Sequence, residues 1–286
     1  MCLLFVYVNE EPEENGYKLI LASNRDEYWP RPTDTAKFRD DSKWMGGADL
    51  EPGREGGTWL GISAAGKVAV LLNILAFQKP DAKGRGSLVR DFLTGDESCE
   101  DYLDRISPSA SQYNPFHLLL IDLKNDCNLH CLSYCQETHR TKKPPGVSAG
   151  DNSKDIAVPW RKREEGEKIF TNIVREHGQK DQQDKLVENI IDFLNDKTQY
   201  FPDEKLAEQF KDVGRATEGD LITERSCMFV FSPQVQYGTR TNTVILVDKH
   251  GNCDFIERTL HTPVNIENLK WSMIKHQFKL NSNDST

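Results

Sequence analysis

Apolar residues recur along this chain in two rhythms. Residues 2–8 and 17–23 are short β-branched and aliphatic runs separated by a Glu, Pro, Asn and Gly cluster, which predicts a hairpin with a long loop. Residues 58–63 and 67–73 flank Ala64-Ala65-Gly66 and predict a second hairpin. From Ser87 the spacing turns helical, with Leu88 and Phe92, then Tyr102, Leu103 and Ile106, forming apolar stripes on two short helices. A third hairpin is predicted over 116–122 and 128–134, and 138–150 has the composition of a surface loop leading to Asn152. Helical spacing returns over 168–176 and 185–195, and strand character over 226–231, 242–248 and 253–258. Residues 280–286 read as a frayed tail.

Hairpins on both sides of a helical middle predict an α+β fold: two mainly antiparallel sheets packed face to face and covered by helices. No composition shift divides the chain, so residues 1–286 are expected to form one domain. Gly84-Arg85-Gly86 lacks both the Lys-Ser/Thr ending of a P-loop and the third glycine of a dinucleotide fingerprint, so no nucleotide site is predicted.

A hydrophobic content of 37% and a charged content of 28% fit a packed globular core. The formal net charge of -9 argues against general attraction to nucleic acid or anionic lipid, which leaves small molecules and proteins as partners. Apolar runs are far shorter than the roughly 20 residues of a membrane span, so no integral membrane segment is expected. The first run ends in Asn9-Glu10-Glu11 rather than an export signal, and seven cysteines without such a signal read as reduced thiols of a cytoplasmic protein. Cys127, Cys131 and Cys135 fall on one face of a strand, which predicts buried thiols rather than a metal or haem cluster with His130 and His139. No metal site or required cofactor is predicted.

Cys2 is the first candidate for chemistry. A small second residue permits removal of Met1, which would place a thiol and a free α-amine on one residue, with ordinary pKa values of about 8.5 and about 7.7 to 8.0. That is the N-terminal nucleophile arrangement. Asn24-Arg25-Asp26-Glu27 is expected to end the second strand, Asn73 to close the strand over 67–72, Asn152 to sit in a loop, and Arg240-Thr241-Asn242-Thr243 to open a later strand. Each is a polar block at a strand end. Trp59, beside Gly56-Gly57, is the tryptophan expected to line a pocket.

Met1-Cys2, Leu21-Ala22-Ser23-Asn24-Arg25-Asp26-Glu27, Gly56-Gly57-Thr58-Trp59-Leu60-Gly61 and Tyr237-Gly238-Thr239-Arg240-Thr241-Asn242-Thr243 together resemble the NRDE family, also called the transport and Golgi organisation protein two family. Gly84-Arg85-Gly86 and Pro159-Trp160-Arg161 belong to the same resemblance. It implies an N-terminal nucleophile hydrolase-like, four-layer αββα sandwich. By likeness to cysteine hydrolases of that fold, Cys2, Asn73, Asn152 and Arg240 are the candidate catalytic residues, with the asparagines as oxyanion donors. Those hydrolases carry Arg-Asn-any-Asp, so by register Asn24 replaces the arginine and Glu27 the aspartate. The resemblance also implies haem trafficking, in which a pocket lined by Asn24, Arg25, Asp26, Glu27, Trp59 and Arg240 holds haem or a similar amphipathic molecule and exchanges it with donor and acceptor proteins. Mitochondrial or Golgi association of a cytoplasmic protein follows from the same resemblance. Amide or thioester hydrolysis at Cys2, acyl-CoA or lipid handling, and a role in secretory organisation are its alternatives.

Overall fold

A computed structural model of the chain describes residues 2–215 and 219–281. Met1, whose removal is expected, and residues 282–286 of the expected tail lie outside the described residues. The strands β1 (Leu3–Val8), β2 (Tyr17–Tyr28), β3 (Thr33–Arg39), β4 (Trp44–Asp49), β5 (Leu60–Ser63) and β6 (Lys67–Asn73) precede the helices α1 (Gly86–Thr94) and α2 (Cys99–Ile106). Then come β7 (Phe116–Asp122), β8 (Leu129–Cys135), β9 (Glu137–Lys143) and β10 (Gly146–Gly150). The helices α3 (Arg161–His177), α4 (Gln183–Leu194), α5 (Glu204–Asp212) and α6 (Gly219–Arg225) lead to β11 (Phe231–Ser232), β12 (Tyr237–Asp248), β13 (Asn252–Leu260) and β14 (Trp271–Lys279).

One sheet runs β10-β1-β2-β12-β13-β14, with β11 beside β12, and the other runs β3 to β9 in sequence order. The named strands pair antiparallel, from β1 with β10 to β8 with β9. Period-two alternation gives each sheet two apolar faces. Leu4, Val6, Leu19, Leu21 and Ile245 meet Ile62, Val70, Leu119 and Ile121 between the sheets. Leu3, Phe5, Ile20, Ala22 and Leu246 bury the stripes of α3 and α4, including Phe170, Leu186 and Ile190. On the far side Leu88 and Phe92 of α1, with Tyr102 and Leu103 of α2, cover Ala69, Leu118 and Leu120. The result is the four-layer αββα sandwich, with each fully buried Leu or Phe side chain contributing about 1.5–3 kcal/mol.

Several elements differ from the sequence expectation. The presumed loop over 138–150 is β9 and β10. Every residue of β9 up to Lys142 is exposed, so this charged edge strand carries no apolar rhythm to betray it. Of the run 226–231, only Phe231 joins a strand. Cys227, Met228, Phe229 and Val230 are apolar because the segment is threaded through the interior, not because it pairs. The strand expected to open near Asn242 begins at Tyr237, and β2 continues to Tyr28, so Asn24-Arg25-Asp26-Glu27 lies within a strand rather than at its end. The β3-β4 hairpin, α5, α6 and β14 are additions.

The tail is anchored at its start: Leu280 is buried in the inter-sheet core and its N–H donates to Gly251 O at 2.8 Å, while Asn281 N–H donates to Ala64 O at 2.8 Å. Leu280→Ala is therefore expected to cost about 2–4 kcal/mol, the range for truncating a buried leucine. Urea unfolding measures it, and an unchanged midpoint would mean that residue 280 is frayed.

Candidate functional site

β2 builds the site by running past its own core. Leu19 and Leu21 face the other sheet, whereas Ile20 and Ala22 face the helices. The same alternation divides the polar block that follows. Asn24 points to the helical side, where its amide donates to Leu194 O at 2.7 Å and Met228 O at 3.0 Å and its oxygen accepts from Asn242 at 2.6 Å. Arg25 points between the sheets, its guanidinium 4.1 Å above the Trp59 ring. Asp26 accepts a hydrogen bond from Thr239 Oγ1 at 2.7 Å through its carboxylate. Its carbonyl accepts from Tyr237 OH at 3.2 Å and, weakly, from Cys2 Sγ at 3.8 Å. Glu27 lies 3.8 Å from Arg25 and 3.7 Å from Arg31.

Cys2, Arg25, Asp26, Glu27, Trp59 and Asn73 share one cleft of about 500 Å³, a volume within the roughly 300–1,000 Å³ usual for small-molecule sites. Leu71 adds an apolar surface, and Arg31, Arg54, Lys83, Arg85 and Arg90 make the rest of the lining strongly basic. Arg31 is held by a two-pronged ion pair with Asp49, at 3.2 and 2.6 Å. Desolvation pushes the Cys2 thiol above its ordinary pKa and Asp26 adds to the rise, while the amino terminus of the chain and Arg25 oppose it. Burial draws Arg85 down to about 10, with Glu27 opposing and Arg54 and Arg31 reinforcing the shift. It remains a cation at neutral pH.

Three expected site residues stand elsewhere. Asn24 is fully buried beneath the end of α4, because its strand position faces the helices. Asn152 is buried outside the cleft lining, and its amide is committed to the backbone carbonyl of Asn73, so it supports that edge instead of offering an oxyanion donor. Arg240 is the extra residue of a bulge, since Thr239 faces Asp26 and Thr241 faces Arg25. Its buried guanidinium donates to the Arg31 carbonyl and, at 3.4 Å, to Tyr28 O, bracing the chain after β2 rather than lining the cleft. The sequence reading missed Arg31, Arg54, Arg85 and Arg90. Gly84-Arg85-Gly86 was the available signal for Arg85, while the others lie in loops and a helix whose approach is set only by the fold.

Behind Asn73, a buried polar network fixes the segment carrying Asn152. His117 Nε2 lies 2.9 Å from Ser153 O and Nδ1 lies 2.7 Å from Ser133 Oγ. A carbonyl only accepts, so Nε2 carries the ring proton and Nδ1 accepts from the serine. Ser153 Oγ also donates to Asp151 at 2.6 Å, and Asp151 accepts from the Trp160 backbone N–H at 2.9 Å. Burial lowers His117 to about 4.

Among the described residues, Glu100, Asp126 and His130 offer one possible metal-ligand cluster, but Lys142 Nζ sits 3.0 Å from Glu100 and 3.1 Å from Asp126 and supplies the cation there. Cys127 and Cys131 are buried in the inter-sheet core.

The family profile described as Transport and Golgi organisation 2 matches residues 1–262. The chain is 36% identical over 292 residues to the Transport and Golgi organization protein 2 homolog of Bos taurus, covering 99% of this chain and 100% of that one. It is 35% identical over 292 residues to the Homo sapiens homolog, with the same coverage of 99% and 100%. Among solved structures, a variant of conjugated bile acid hydrolase from Clostridium perfringens overlaps 99% of this chain and 98% of its own, with a TM-score of 0.48 at 8% identity.

His117 yields a test with a definite sign. The folded ring stays neutral down to about pH 4, whereas the unfolded ring takes up its proton near 6.5. Between those values the unfolded chain binds more protons, so the stability contribution present above pH 6.5 is lost as the pH falls toward 4. The loss amounts to about 3 kcal/mol. Urea unfolding at pH 7 and pH 4.5 should show a smaller acid-induced loss in His117→Gln than in the wild type. Equal losses would place the proton uptake elsewhere.

Proposed function

The chain belongs to the Transport and Golgi organisation 2 family, and we propose that its Cys2 cleft carries an amphipathic, anionic small molecule, haem being the expected cargo, between donor and acceptor proteins. The observation that carries this reading is the make-up of one cleft. A soft thiol, an indole and a leucine side chain share it with six basic side chains against four acidic ones, in a protein whose formal net charge is -9. An apolar ring could lie toward Trp59 and Leu71 while its anionic edge meets the guanidinium groups. The raised thiol pKa suits reversible capture: ligation of iron by the sulfur would release the Cys2 proton to solvent, and that competition lowers the apparent affinity at neutral pH. The family name fits a carrier that works near secretory membranes, with its partners in the cytoplasm and at organelle surfaces.

A second reading is favoured by Cys2 and Asn73 lying in the same open cleft: an amide or thioester hydrolase in which the thiol attacks the carbonyl and Asn73 stabilises the oxyanion. It requires the α-amine of Cys2 to be free, so retention of Met1 in the intact mass would remove it. Commitment of Asn152 to the Asn73 carbonyl already deprives that mechanism of one expected donor.

Titration of the purified, reduced chain with haem, followed by haem absorbance and tryptophan quenching, separates the two. The carrier reading expects saturation near one haem per chain and, in Cys2→Ala, loss of the sulfur-to-iron absorbance with affinity about tenfold weaker. Uptake that never saturates, together with amide or thioester turnover abolished in the same variant, would give the site to hydrolysis instead.

A further inference from the structure

The cleft has two unlike walls. On the β2 side, cations are neutralised: Arg31 pairs with Asp49 at 2.6 Å, and Glu27 sits between Arg25 and Arg31. On the α1 side, they are crowded together by a backbone contact. Gly57 and Gly86 meet so closely that a Cβ on Gly86 would lie 2.6 Å from Gly57 Cα and 2.8 Å from Thr58 N. Thr58 N–H also donates to Gly86 O at 3.2 Å. Only glycine at residue 86 lets the loop over 50–58 fold down onto the start of α1.

That closure brings Arg54 against the turn before α1, where a Cβ on Gly84 would lie 3.1 Å from its Nη1. Arg90 comes beside Gly56, whose Cβ position is 3.7 Å from the Arg90 Nη1. Arg85 is part of the same wall. Arg54 and Arg85 donate to the carbonyl oxygens of Ala82, at 3.1 Å, and Pro115, at 2.7 Å. These bonds satisfy donors without cancelling charge. Arg90 has the exposed carboxylate of Asp91 at 3.1 Å, a pair largely screened by solvent. Lys83 completes the set, and all four cations line the cleft. Burial is the main cause of the lowered Arg85 pKa; Glu27 opposes the fall, and Arg54 and Arg31 add to it. Holding like charges together in a half-enclosed cleft costs free energy that a bound dianion would recover.

We infer that Arg54, Arg85 and Arg90 form a dianion subsite that grips the charged end of the cargo, a pair of carboxylates or a phosphate group, and orients its apolar part toward Trp59, Leu71 and Cys2. The inference rests on the carrier reading for its cargo but not for its existence. Planar guanidinium forks are suited to two-pronged bonds with either anion. It also moves anion recognition away from Arg240, which lies outside the cleft lining, and from Arg25, which is stacked on Trp59 beside Glu27.

The full-length chain would be titrated with mesoporphyrin diacid, its dimethyl ester and inorganic pyrophosphate, in the wild type, in the double variant Arg54→Gln/Arg90→Gln, and in Arg85→Lys and Arg85→Gln. Arg85→Lys keeps the charge if Arg85→Gln fails to fold. The expected result is diacid binding weakened about tenfold or more by the double variant and by esterification, with pyrophosphate competing for the site. Tighter wild-type binding of pyrophosphate than of diacid would assign the wall to a phosphorylated end, and the reverse order to paired carboxylates. Diacid and ester binding alike, insensitive to pyrophosphate and to the arginine variants, would overturn the subsite while leaving haem carriage intact. Haem uptake that never saturates, alongside pyrophosphate binding lost in the double variant, would uphold the subsite and reject haem as the cargo.

Discussion

The pairing of β2 with β12 is the constraint on which the site depends. Both strands are 12 residues long, and they lie side by side in the middle of their sheet. Over Leu19 to Ala22 and Val244 to Val247, their alternating side chains supply both the inter-sheet core and the seat for α3 and α4. Where those strands continue, the same ladder carries polar residues: Asn24 opposite Asn242, Arg25 opposite Thr241 and Asp26 opposite Thr239. The bulge at Arg240 is the only break between these last two pairs, and it turns a guanidinium onto the chain that follows β2. Strand geometry thus delivers Arg25 to the cleft and sends Asn24 to a buried polar junction. A one-residue slip would exchange their faces.

Electrostatics then separates the two halves of the cleft. Paired acids hold the β2 side close to neutral, whereas the α1 side gathers Arg54 and Arg85, whose hydrogen bonds go to carbonyl oxygens, and Arg90, whose partner Asp91 is exposed. In a chain that is acidic as a whole, that wall is where an anion gains most. Cys2 stands at the junction of the walls with its thiol pKa raised, since desolvation outweighs the amino terminus and Arg25, which favour the thiolate. Ligation of a metal by the sulfur would release the thiol proton to solvent, so metal binding at Cys2 competes with protonation.

The layered fold was legible because its apolar rhythms are strong. The hairpins containing β1 and β2, β5 and β6, and β7 and β8, and the stripes of α1 to α4, all bury one or both faces, and burial leaves a periodic record. β9 and β14 are edge strands with mostly exposed side chains and leave little record, and Met228 to Val230 is apolar without being a strand. For the site, composition could mark Asn24-Arg25-Asp26-Glu27 as unusual. It could not tell which of the four face the cleft until β2 was seen to run through them. Arg54 and Arg90 were invisible for a different reason: their meeting depends on the contact between Gly57 and Gly86, which lie 29 positions apart in the sequence.

Site-resolved alkylation tests the central claim, that the Cys2 cleft is where cargo binds, most directly. Cys2 and Cys135 are both half-buried, but only Cys2 lines this cleft. Iodoacetamide labelling of each thiol would be followed by peptide mass spectrometry, with and without saturating mesoporphyrin diacid, which has no iron to ligate the sulfur. The account predicts that ligand slows labelling at Cys2 and leaves Cys135 unchanged. Equal labelling of Cys2 with and without saturating ligand would contradict it.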